Sequence, residues 1–552
     1  MNIRETIIRI ARWKYLDIVA SGVLAGLICI FLYGAAILNP TNTEWLYSNG
    51  DISQHQIGWE FFRFDSWHIP LGAIKTLAYP EGTSVVYMDS IPIAAIFTKL
   101  LSPILPQTFQ YFGLWGFMSF VLQGVFGAFI LRKFTKNKLL VILGSLFFVT
   151  APYFLVRTYG HTALASQFIL LLGICFVLYR HRLTSLPKSV IAWTGLMALS
   201  ATVHPYFVPM TGILLVIYLI LQKSSWKSIL AHLVSGGLIA VACFWMVGGF
   251  VTKDVGTATL GLYGADINAL INPITFSRFL KPFDSIPGAY EGLAYLGLGV
   301  YLLLILLAVW FFASYKAKKK LSVKNIVKKN GRYLLVGLVV ILSIFLAIGP
   351  VFYLNGQQLI VLSPPDAIAQ IMSIFRSSGR FIWIACYALL ILALGGILYA
   401  AKKLKISNTK VIVLFVILLG VQVLDVVKSP GMNLKRDVVR DHMVFNSHFN
   451  TDQVKQMLDR KTRVAYTSNS LHGNNFFEIG PLVTARKMPI NDGYISRKPV
   501  ASVNKETAQA YNELVSGNLR ADTVYISDVP VDIDRPDVET IKVSDTYLIA
   551  LR

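Results

Sequence analysis

The segment NGDISQHQIGWEFFRFDSWHIPLG, residues 49–72, contains carboxylates and imidazoles at spacings that could support acid–base chemistry. Asp51 and His55 are four residues apart, so they share a face if they lie on one helix. A carboxylate oriented by an imidazole can take a proton from a hydroxyl group. The DISQ tetrapeptide also predicts a capping box between Asp51 and Gln54. Both roles stay open for Asp51, and Asp65 is a second candidate carboxylate.

The same segment has an apolar and aromatic character that suits a membrane surface. One stripe of the predicted helix consists of Ile57, Phe61 and Phe64. Trp59 and Trp67 are predicted as anchors at the membrane interface, where tryptophan is enriched. The alternative is that these rings stack on a sugar, with His68 as a further polar contact.

Arginine and histidine recur in other connecting segments. Arg376 and Arg380 are four residues apart in SIFRSSGRFIW, as are Arg157 and His161 in VRTYGH. The planar fork of arginine suits phosphate oxygens, so the first pair could clamp an anion.

Further candidates are His204 in HPYF, Arg278 in FSRFLKPF and Glu291 in GAYEGLAYLG. Each cation alone could contact a headgroup or a loop carbonyl, but together they predict a bound phosphate or pyrophosphate. Glu291, at the entry to an apolar run, is either a functional group or a partner for one arginine.

The composition predicts an α-helical polytopic membrane protein. Of the 552 residues, 55% are hydrophobic and only 14% are charged, against about 25% charged in soluble domains. The net charge of +22 does not indicate nucleic-acid binding, because the basic residues cluster between apolar runs, as membrane topology requires. All four cysteines fall inside apolar runs, which argues against a disulfide framework or a cysteine metal cluster.

Eleven apolar stretches approach the ~20 residues needed to cross a bilayer. They are 16–38, 108–131, 139–156, 163–180, 189–204, 206–222, 229–250, 292–313, 333–350, 381–401 and 410–427. With eleven spans every basic cluster falls on one side, which the positive-inside rule assigns to the cytoplasm. The N-terminus is then cytoplasmic, and the first loop, 39–107, faces outward. The first apolar run is too long for a typical signal peptide and is predicted to be a retained span.

The chain changes character near residue 430. The transmembrane part is predicted as 1–430 and a small outer α/β domain as 431–552. Strand-like alternation occurs in RVAYTSNS, TVYISDV and ETIKVSDTYLIAL. Within the first outer loop, 90–106 is apolar but too short to span, and it predicts an interfacial helix.

This pattern resembles the GT-C superfamily of integral membrane glycosyltransferases and, within it, a group of bacterial membrane proteins. The resemblance covers about 40–400. It is carried by GDISQHQIGWEFFR, SWHIPLG, YPEGTSVVYMDSIPI, FQYFGLW, HPYF, YEGLAYLG and FRSSGRFIW. Asp51 matches the acidic residue of the first outer loop in that family, and Asp65 or Asp89 could be its second carboxylate. The tandem aspartate of the family is absent, so neither a metal nor a cofactor is expected.

The resemblance implies a reaction. Asp51 would act as general base on an acceptor hydroxyl, with His55 orienting it or contacting the sugar. Arg376 and Arg380 would hold the departing lipid phosphate. Second-rank contacts to that phosphate are Arg157, His161 and His204, and substrate contacts are Trp59, Trp67, His68, Glu291 and Arg278.

The implied function is transfer of a sugar from a polyprenyl-phosphate carrier to a cell-surface glycan, such as O-antigen, at the outer face of a bacterial inner membrane. The partners are then the lipid-linked donor, the glycan acceptor and membrane lipids. The alternatives are a flippase or transporter of lipid-linked glycans and a transferase of whole oligosaccharides or phospho-groups. A transporter should show polar residues at mid-membrane and related halves, and the sequence shows few such charges and no repeat.

Overall fold

The computed structural model describes residues 13–47, 50–252, 260–316, 323–441, 445–468, 474–531, 533 and 535–552. The chain is mostly helical. The α-helices are Leu16–Tyr33, Asp51–Phe64, Pro92–Leu100, Phe112–Leu131, Lys138–Val149, Pro152–Leu155, Phe168–Leu178, Leu186–Val203, Phe207–Gln222, Trp226–Met246, Leu298–Lys316, Val323–Ile348, Asp366–Ile374, Trp383–Lys403, Asn408–Val426, Pro430–Asp441, Asp452–Asp459, Asn474–Ala485 and Val500–Val515.

Seven helical segments in the described ranges are long and apolar enough to cross a membrane. They are Leu16–Tyr33, Phe112–Leu131, Leu186–Val203, Trp226–Met246, Gly331–Ile348, Ser378–Lys403 and Asn408–Val426. Only 17% of the apolar window of Trp226–Met246 is buried by protein, and the same holds for Gly331–Ile348. Apolar helices whose surfaces are so little covered by protein are suited to contact with lipid. The other four predicted spans coincide with shorter apolar helices, which are Lys138–Val149, Phe168–Leu178, Phe207–Gln222 and Leu298–Ser314.

The first helix packs closely against Phe112–Leu131 through small residues. A side chain at Gly124 would lie 2.5 Å from the carbonyl oxygen of Ser21, so only glycine permits this approach. At the same end of the pair, Arg132 Nε donates to Asp17 Oδ2 at 2.8 Å. This pairing fastens the start of the first helix to the end of Phe112–Leu131, and the first loop begins at the opposite end of the first helix, after Tyr33.

The first loop carries the helix Asp51–Phe64, here called the loop helix. Its N-cap is Gly50, whose φ of 76° favours glycine, and Asp51 is its first residue. The predicted capping box is therefore wrong: Gln54 Nε2 instead donates to the carbonyl oxygen of Tyr87 at 3.2 Å. The loop continues through a short hairpin, Ala73–Ile74 with Thr83–Ser84, to the predicted interfacial helix, Pro92–Leu100.

The apolar stripe of the loop helix faces protein and not lipid. Ile57 and Phe61 are buried, and the ring of Phe61 stacks on Phe476 with centroids 6.5 Å apart. Phe476 belongs to the helix Asn474–Ala485, so the C-terminal region covers the stripe. The prediction that this stripe rests on the membrane is therefore wrong. It could not be avoided from the sequence, because lipid and the protein interior select the same apolar residues.

The C-terminal region contains a four-stranded sheet. Its spatial order is Arg463–Tyr466, Thr523–Ser527, Thr546–Leu551 and Val538–Val543. The first pair of strands is parallel and the other two pairs are antiparallel. A separate two-stranded hairpin, Val351–Leu354 with Gln357–Val361, follows the helix that ends at Ile348.

Main-chain hydrogen bonds hold the C-terminal region to the first loop. Ile490 N donates to Thr76 O at 2.9 Å, and Tyr79 N donates to Ile490 O at 3.0 Å. Ser496 N donates to Tyr87 O at 3.0 Å. The chain from 490 to 497 is thereby placed against the loop that carries the candidate catalytic residues.

Candidate active site

One cavity of about 570 Å³ lies where the loop helix, several connecting segments and the C-terminal region meet. Its polar and charged lining residues are Asp51, Gln54, Tyr87, Asp89, His161, His204, Tyr206, Tyr263, Tyr290, Glu291, Arg376, Ser377, Arg380, Tyr494, Ser496 and Arg497. The apolar lining residues include Val86, Val208, Val241, Phe244, Phe250 and Phe375. A concave wall that combines apolar side chains with convergent charged groups is typical of a small-molecule site.

Two carboxylates and two imidazoles form a chain along the cavity. His161 Nε2 lies 3.0 Å from Asp51 Oδ2, and His161 Nδ1 lies 3.6 Å from Asp89 Oδ2. The other oxygen of Asp89, Oδ1, lies 3.3 Å from His204 Nε2. Tyr206 N donates to His204 Nδ1 at 3.3 Å, so the hydrogen-bond network assigns the ring proton to Nε2, facing Asp89. Asp51 is the more accessible carboxylate, with its side chain 34% exposed.

The carboxylates and imidazoles of this network shift one another's pKa values. Burial opposes ionisation of Asp51, but the charge of His161 overrides it and the pKa of Asp51 is lowered. Asp89 behaves in the same way: burial opposes its ionisation, but the neighbouring imidazoles of His161 and His204 outweigh burial and hold its pKa well below the usual range. Burial alone would lower the pKa of His161, yet Asp51 and Asp89 raise it to about 9. Both carboxylates are thus ionised at neutral pH.

Asp89 lies just before the helix Pro92–Leu100 but does not cap it, because the N-cap of that helix is Ile91. Asp89 instead has a φ of 51°, in the left-handed region that non-glycine residues rarely adopt. Such backbone strain is common at functional sites. Of the two carboxylates left open as a partner for Asp51, Asp89 is the one that the structure brings into the cavity.

His55 lies beneath this chain. Its ring is fully buried, with its centroid 6.1 Å from the His161 ring. Burial lowers the pKa of His55 to about 4. Its ring nitrogens have no hydrogen-bond partner in the described part of the chain. The imidazole therefore does not orient Asp51 directly, because His161 occupies that position.

Glu291 binds two arginines at once. Arg380 donates through Nε to Oε2 at 2.8 Å and through Nη2 to Oε1 at 2.9 Å. Arg157 Nη2 lies 2.8 Å from Oε2 and also donates to the main-chain oxygen of Glu291 at 3.0 Å. Burial disfavours the charge of Glu291, but Arg157 and Arg380 hold its pKa well below the usual range. The expected partnership of Glu291 with an arginine is observed.

This pairing corrects the predicted anion clamp. Arg380 lines the cavity, but its fork is committed to Glu291 and its face packs on the Tyr206 ring at 4.4 Å. Arg157 is only 1% exposed and is absent from the cavity wall. Both guanidinium groups therefore hold the carboxylate, and neither can present its fork to a phosphate.

Arg376 and Arg497 are the cations that stay available to a ligand. Both line the cavity, and neither forms an ion pair with a carboxylate among the described residues. Burial lowers the pKa of Arg497, and the positive charge of Arg376 contributes to the same shift. Arg497 Nη2 donates to the main-chain oxygen of Ser373 at 3.1 Å, which holds the side chain against the segment before Arg376. Two neighbouring cations facing one cavity favour an anion between them.

The C-terminal region supplies Arg497 and also Tyr494, and the sequence interpretation missed both. Burial raises the pKa of Tyr494, and the negative charge of Asp51 raises it further. Neither residue lies in a motif. The one available signal was the run of polar residues and turns in NDGYISRKP, between the predicted strands.

Besides His55 and Arg157, five further predicted site residues lie outside the cavity lining, and three of these directly follow the loop helix. Asp65 Oδ2 accepts from Lys75 N at 2.6 Å and Thr76 N at 3.3 Å, so this carboxylate fastens the loop backbone. His68 lies 3.3 Å from Asp65 Oδ1. Trp67 is 44% exposed and lies beside Lys99, so it is still suited to the predicted role of an anchor at the membrane interface. None of the three contacts the cavity.

The other two are Trp59 and Arg278. Trp59 is completely buried and donates through Nε1 to Phe109 O at 3.1 Å, so it contacts neither lipid nor substrate. The main-chain nitrogen of Arg278 donates to Asp425 O at 2.9 Å, and neither residue lines the cavity. Tryptophan and arginine were assigned from their residue type, which does not reveal burial or position.

Residues 22–427 match the model of DUF6311, a domain of unknown function, and this match covers well over half of the sequence. The chain belongs to the DUF6311 family. Residues 453–549 match the model of the DUF6311 C-terminal domain. The boundary predicted between residues 430 and 431 lies between the two matched ranges. No curated protein matches the chain. In this DUF6311 protein the cavity lies between the parts that the two models cover, because Arg376 comes from the first and Arg497 from the second.

Proposed function

We propose that this DUF6311 protein is an integral membrane glycosyltransferase of the GT-C type. It moves a sugar from a polyprenyl-phosphate carrier to a cell-surface glycan, on the outer face of a bacterial inner membrane. The eleven apolar segments each cross the bilayer, the N-terminus is cytoplasmic, and the cavity and C-terminal region face outward. The basic clusters between spans support this orientation.

The proposal depends chiefly on one observation: a partly accessible carboxylate and two carboxylate-free arginines share one cavity. Asp51 is held by His161 at 3.0 Å and faces the cavity. Arg376 and Arg497 line the same cavity. A base and an anion site in one poorly solvated cavity are the two parts that transfer from a sugar phosphate requires.

The reaction is a single displacement. Asp51 takes the proton of the acceptor hydroxyl as its oxygen forms a bond to the anomeric carbon. The bond from that carbon to the donor phosphate breaks, and the electron pair leaves with the phosphate oxygen. Arg376 and Arg497 stabilise the resulting anion, so the leaving group needs no separate acid. Attack opposite the leaving group inverts the anomeric configuration.

The test is sugar transfer by the purified protein in lipid nanodiscs, supplied with labelled polyprenyl-phosphate sugars and a glycan acceptor. Asp51→Asn removes the base while keeping the size of the side chain, and we expect transfer to fall at least 100-fold, since general-base catalysis contributes about 10²–10⁴-fold. Asp366→Asn, an exposed aspartate at the start of Asp366–Ile374, is the matched control and should transfer normally.

Two outcomes would overturn the assignment. Normal turnover by Asp51→Asn removes this residue from the role of base, and loss of transfer in Asp89→Asn alone would give that role to the second carboxylate of the cavity. Movement of the labelled donor across the membrane without a new glycosidic bond would replace the enzyme with a flippase. Transfer of a whole oligosaccharide or phospho-group would be seen in the mass of the product.

A further inference from the structure

His55 presents an unusual arrangement that the proposed transfer reaction does not use. The imidazole is fully buried, and neither ring nitrogen has a hydrogen-bond partner within the described ranges. Leaving a buried polar group without a partner costs about 1–3 kcal/mol. Such a group is therefore usually satisfied by something bound beside it, such as an ion or ordered water.

Two further ligand groups lie next to this imidazole. One donor atom from each of His55, Asp89 and His161 can be chosen so that all three lie within 4.8 Å of one another. Nε2 of His161 is held by Asp51, whereas its Nδ1 has no hydrogen bond in the described part of the chain. That free nitrogen lies 3.6 Å from Asp89 Oδ2. The three groups thus bring one potential ligand atom each close enough together to surround a single ion.

We propose that His55, His161 and Asp89 bind a divalent transition-metal ion, and that Zn²⁺ is the ion this ligand set fits best. Two imidazole nitrogens and one carboxylate oxygen form a familiar ligand set for zinc, whereas Mg²⁺ and Ca²⁺ prefer oxygen ligands alone. Three protein ligands leave one coordination position for water or substrate, and two of them, Asp89 and His161, line the cavity.

The groups around the three ligands support this assignment. A histidine that binds a metal usually donates its second nitrogen to a carboxylate, as His161 Nε2 does to Asp51 at 3.0 Å. A carboxylate ligand is usually hydrogen-bonded through its other oxygen, as Asp89 Oδ1 is to His204 at 3.3 Å. The hydrogen-bonding groups that would orient two of the proposed ligands, Asp51 for His161 and His204 for Asp89, are therefore already in place. The inference does not depend on glycosyl transfer, because metal binding can be measured without donor or acceptor.

The experiment measures zinc on the untagged, full-length protein in detergent. After removal of metal with a chelator, the protein is dialysed against buffered Zn²⁺ at several free concentrations, and bound metal is counted by mass spectrometry. We expect one Zn²⁺ per chain in the wild type and at least 100-fold weaker binding in His55→Gln. His232→Gln is the matched control: His232 is also buried, but its Nδ1 bonds Ser228 O at 2.7 Å, and its affinity for zinc should equal that of the wild type.

A second variant keeps the test decisive if His55→Gln does not fold. Asp51→Asn removes only the outer partner of His161, and we expect zinc affinity to fall roughly 10- to 100-fold. The proposal is overturned if the wild type binds less than one Zn²⁺ per chain at saturation, or if a folded His55→Gln binds zinc as the wild type does. Wild-type zinc affinity in Asp51→Asn would equally contradict the orientation given to His161.

Discussion

Arginines on two sides of the cavity meet very different surroundings. Arg157 and Arg380 are buried and share the carboxylate of Glu291, whose side chain is only 3% exposed. Arg376 and Arg497 also reach the cavity region, but no carboxylate in the described structure pairs with them. The first group, here called the Glu291 triad, is a closed ion-pair network. The second, here called the open arginine pair, is available to a ligand.

The comparison teaches that the same side chain holds the fold in one place and can hold a substrate in another. A guanidinium that is already matched by a carboxylate gains little from a phosphate, because it would first have to break its existing hydrogen bonds. A guanidinium that has no carboxylate partner and lies beside a second one gains charge neutralisation when an anion binds. We therefore expect substitutions in the Glu291 triad to change stability and substitutions in the open arginine pair to change donor binding.

The largest expected effect comes from Glu291→Gln. The substitution keeps the shape but removes the charge that compensates Arg157 and Arg380, and breaking a buried ion pair in this way costs about 3–5 kcal/mol. We expect the free energy of unfolding to fall by that amount, measured by fluorescence during unfolding in detergent. Glu81→Gln, at an exposed position of the first loop, should change it by less than about 0.5 kcal/mol. Equal stability of the two variants would show that the triad does not stabilise the fold.

The helices could be predicted from the sequence because hydropathy and length are local properties. Each of the eleven apolar stretches coincides with a helix, and the start of the first loop is helical as expected. The environment of those helices was less predictable. The buried stripe at Ile57 and Phe61 was assigned to lipid, although Phe476 and its helix cover it. An apolar face does not reveal whether lipid or protein lies against it.

The site was predictable as a set of residues but not as a set of contacts. Asp51, His161, His204, Glu291, Arg376 and Arg380 were chosen by residue type and loop position, and all six line the cavity. Their pairing depends on residues far apart in the chain: Arg380 and Glu291 are 89 positions apart. The expectation that no metal binds stays a prediction, and it was based only on the missing tandem aspartate, not on the histidines that the fold brings beside Asp89.

A smaller effect is expected in the open arginine pair, and it concerns binding. Arg376→Ala and Arg497→Ala should each raise the KM for the lipid-linked donor roughly 10- to 100-fold, because a hydrogen bond to a charged group contributes about 1.5–3 kcal/mol. The free energy of unfolding should fall by less than the ~3–5 kcal/mol expected for Glu291→Gln, because neither arginine compensates a buried carboxylate. The KM is measured in the nanodisc transfer assay, with the exposed Lys281→Ala as control. Loss of stability without a change in KM would place these arginines with the Glu291 triad.

The smallest expected effect separates charge from shape at Arg376. Arg376→Lys keeps a positive charge but loses the planar fork, so the KM for the donor should rise by less than about tenfold, a cost below 1.4 kcal/mol. The same change at Arg380 removes a bidentate contact to Glu291 and should lower the free energy of unfolding instead. Each variant is measured in both assays. If Arg376→Lys binds donor as weakly as Arg376→Ala, the guanidinium shape and its contact with the Tyr263 ring, 5.9 Å away, determine binding more than its charge does. The open arginine pair would then be a shaped phosphate site and not a diffuse positive patch.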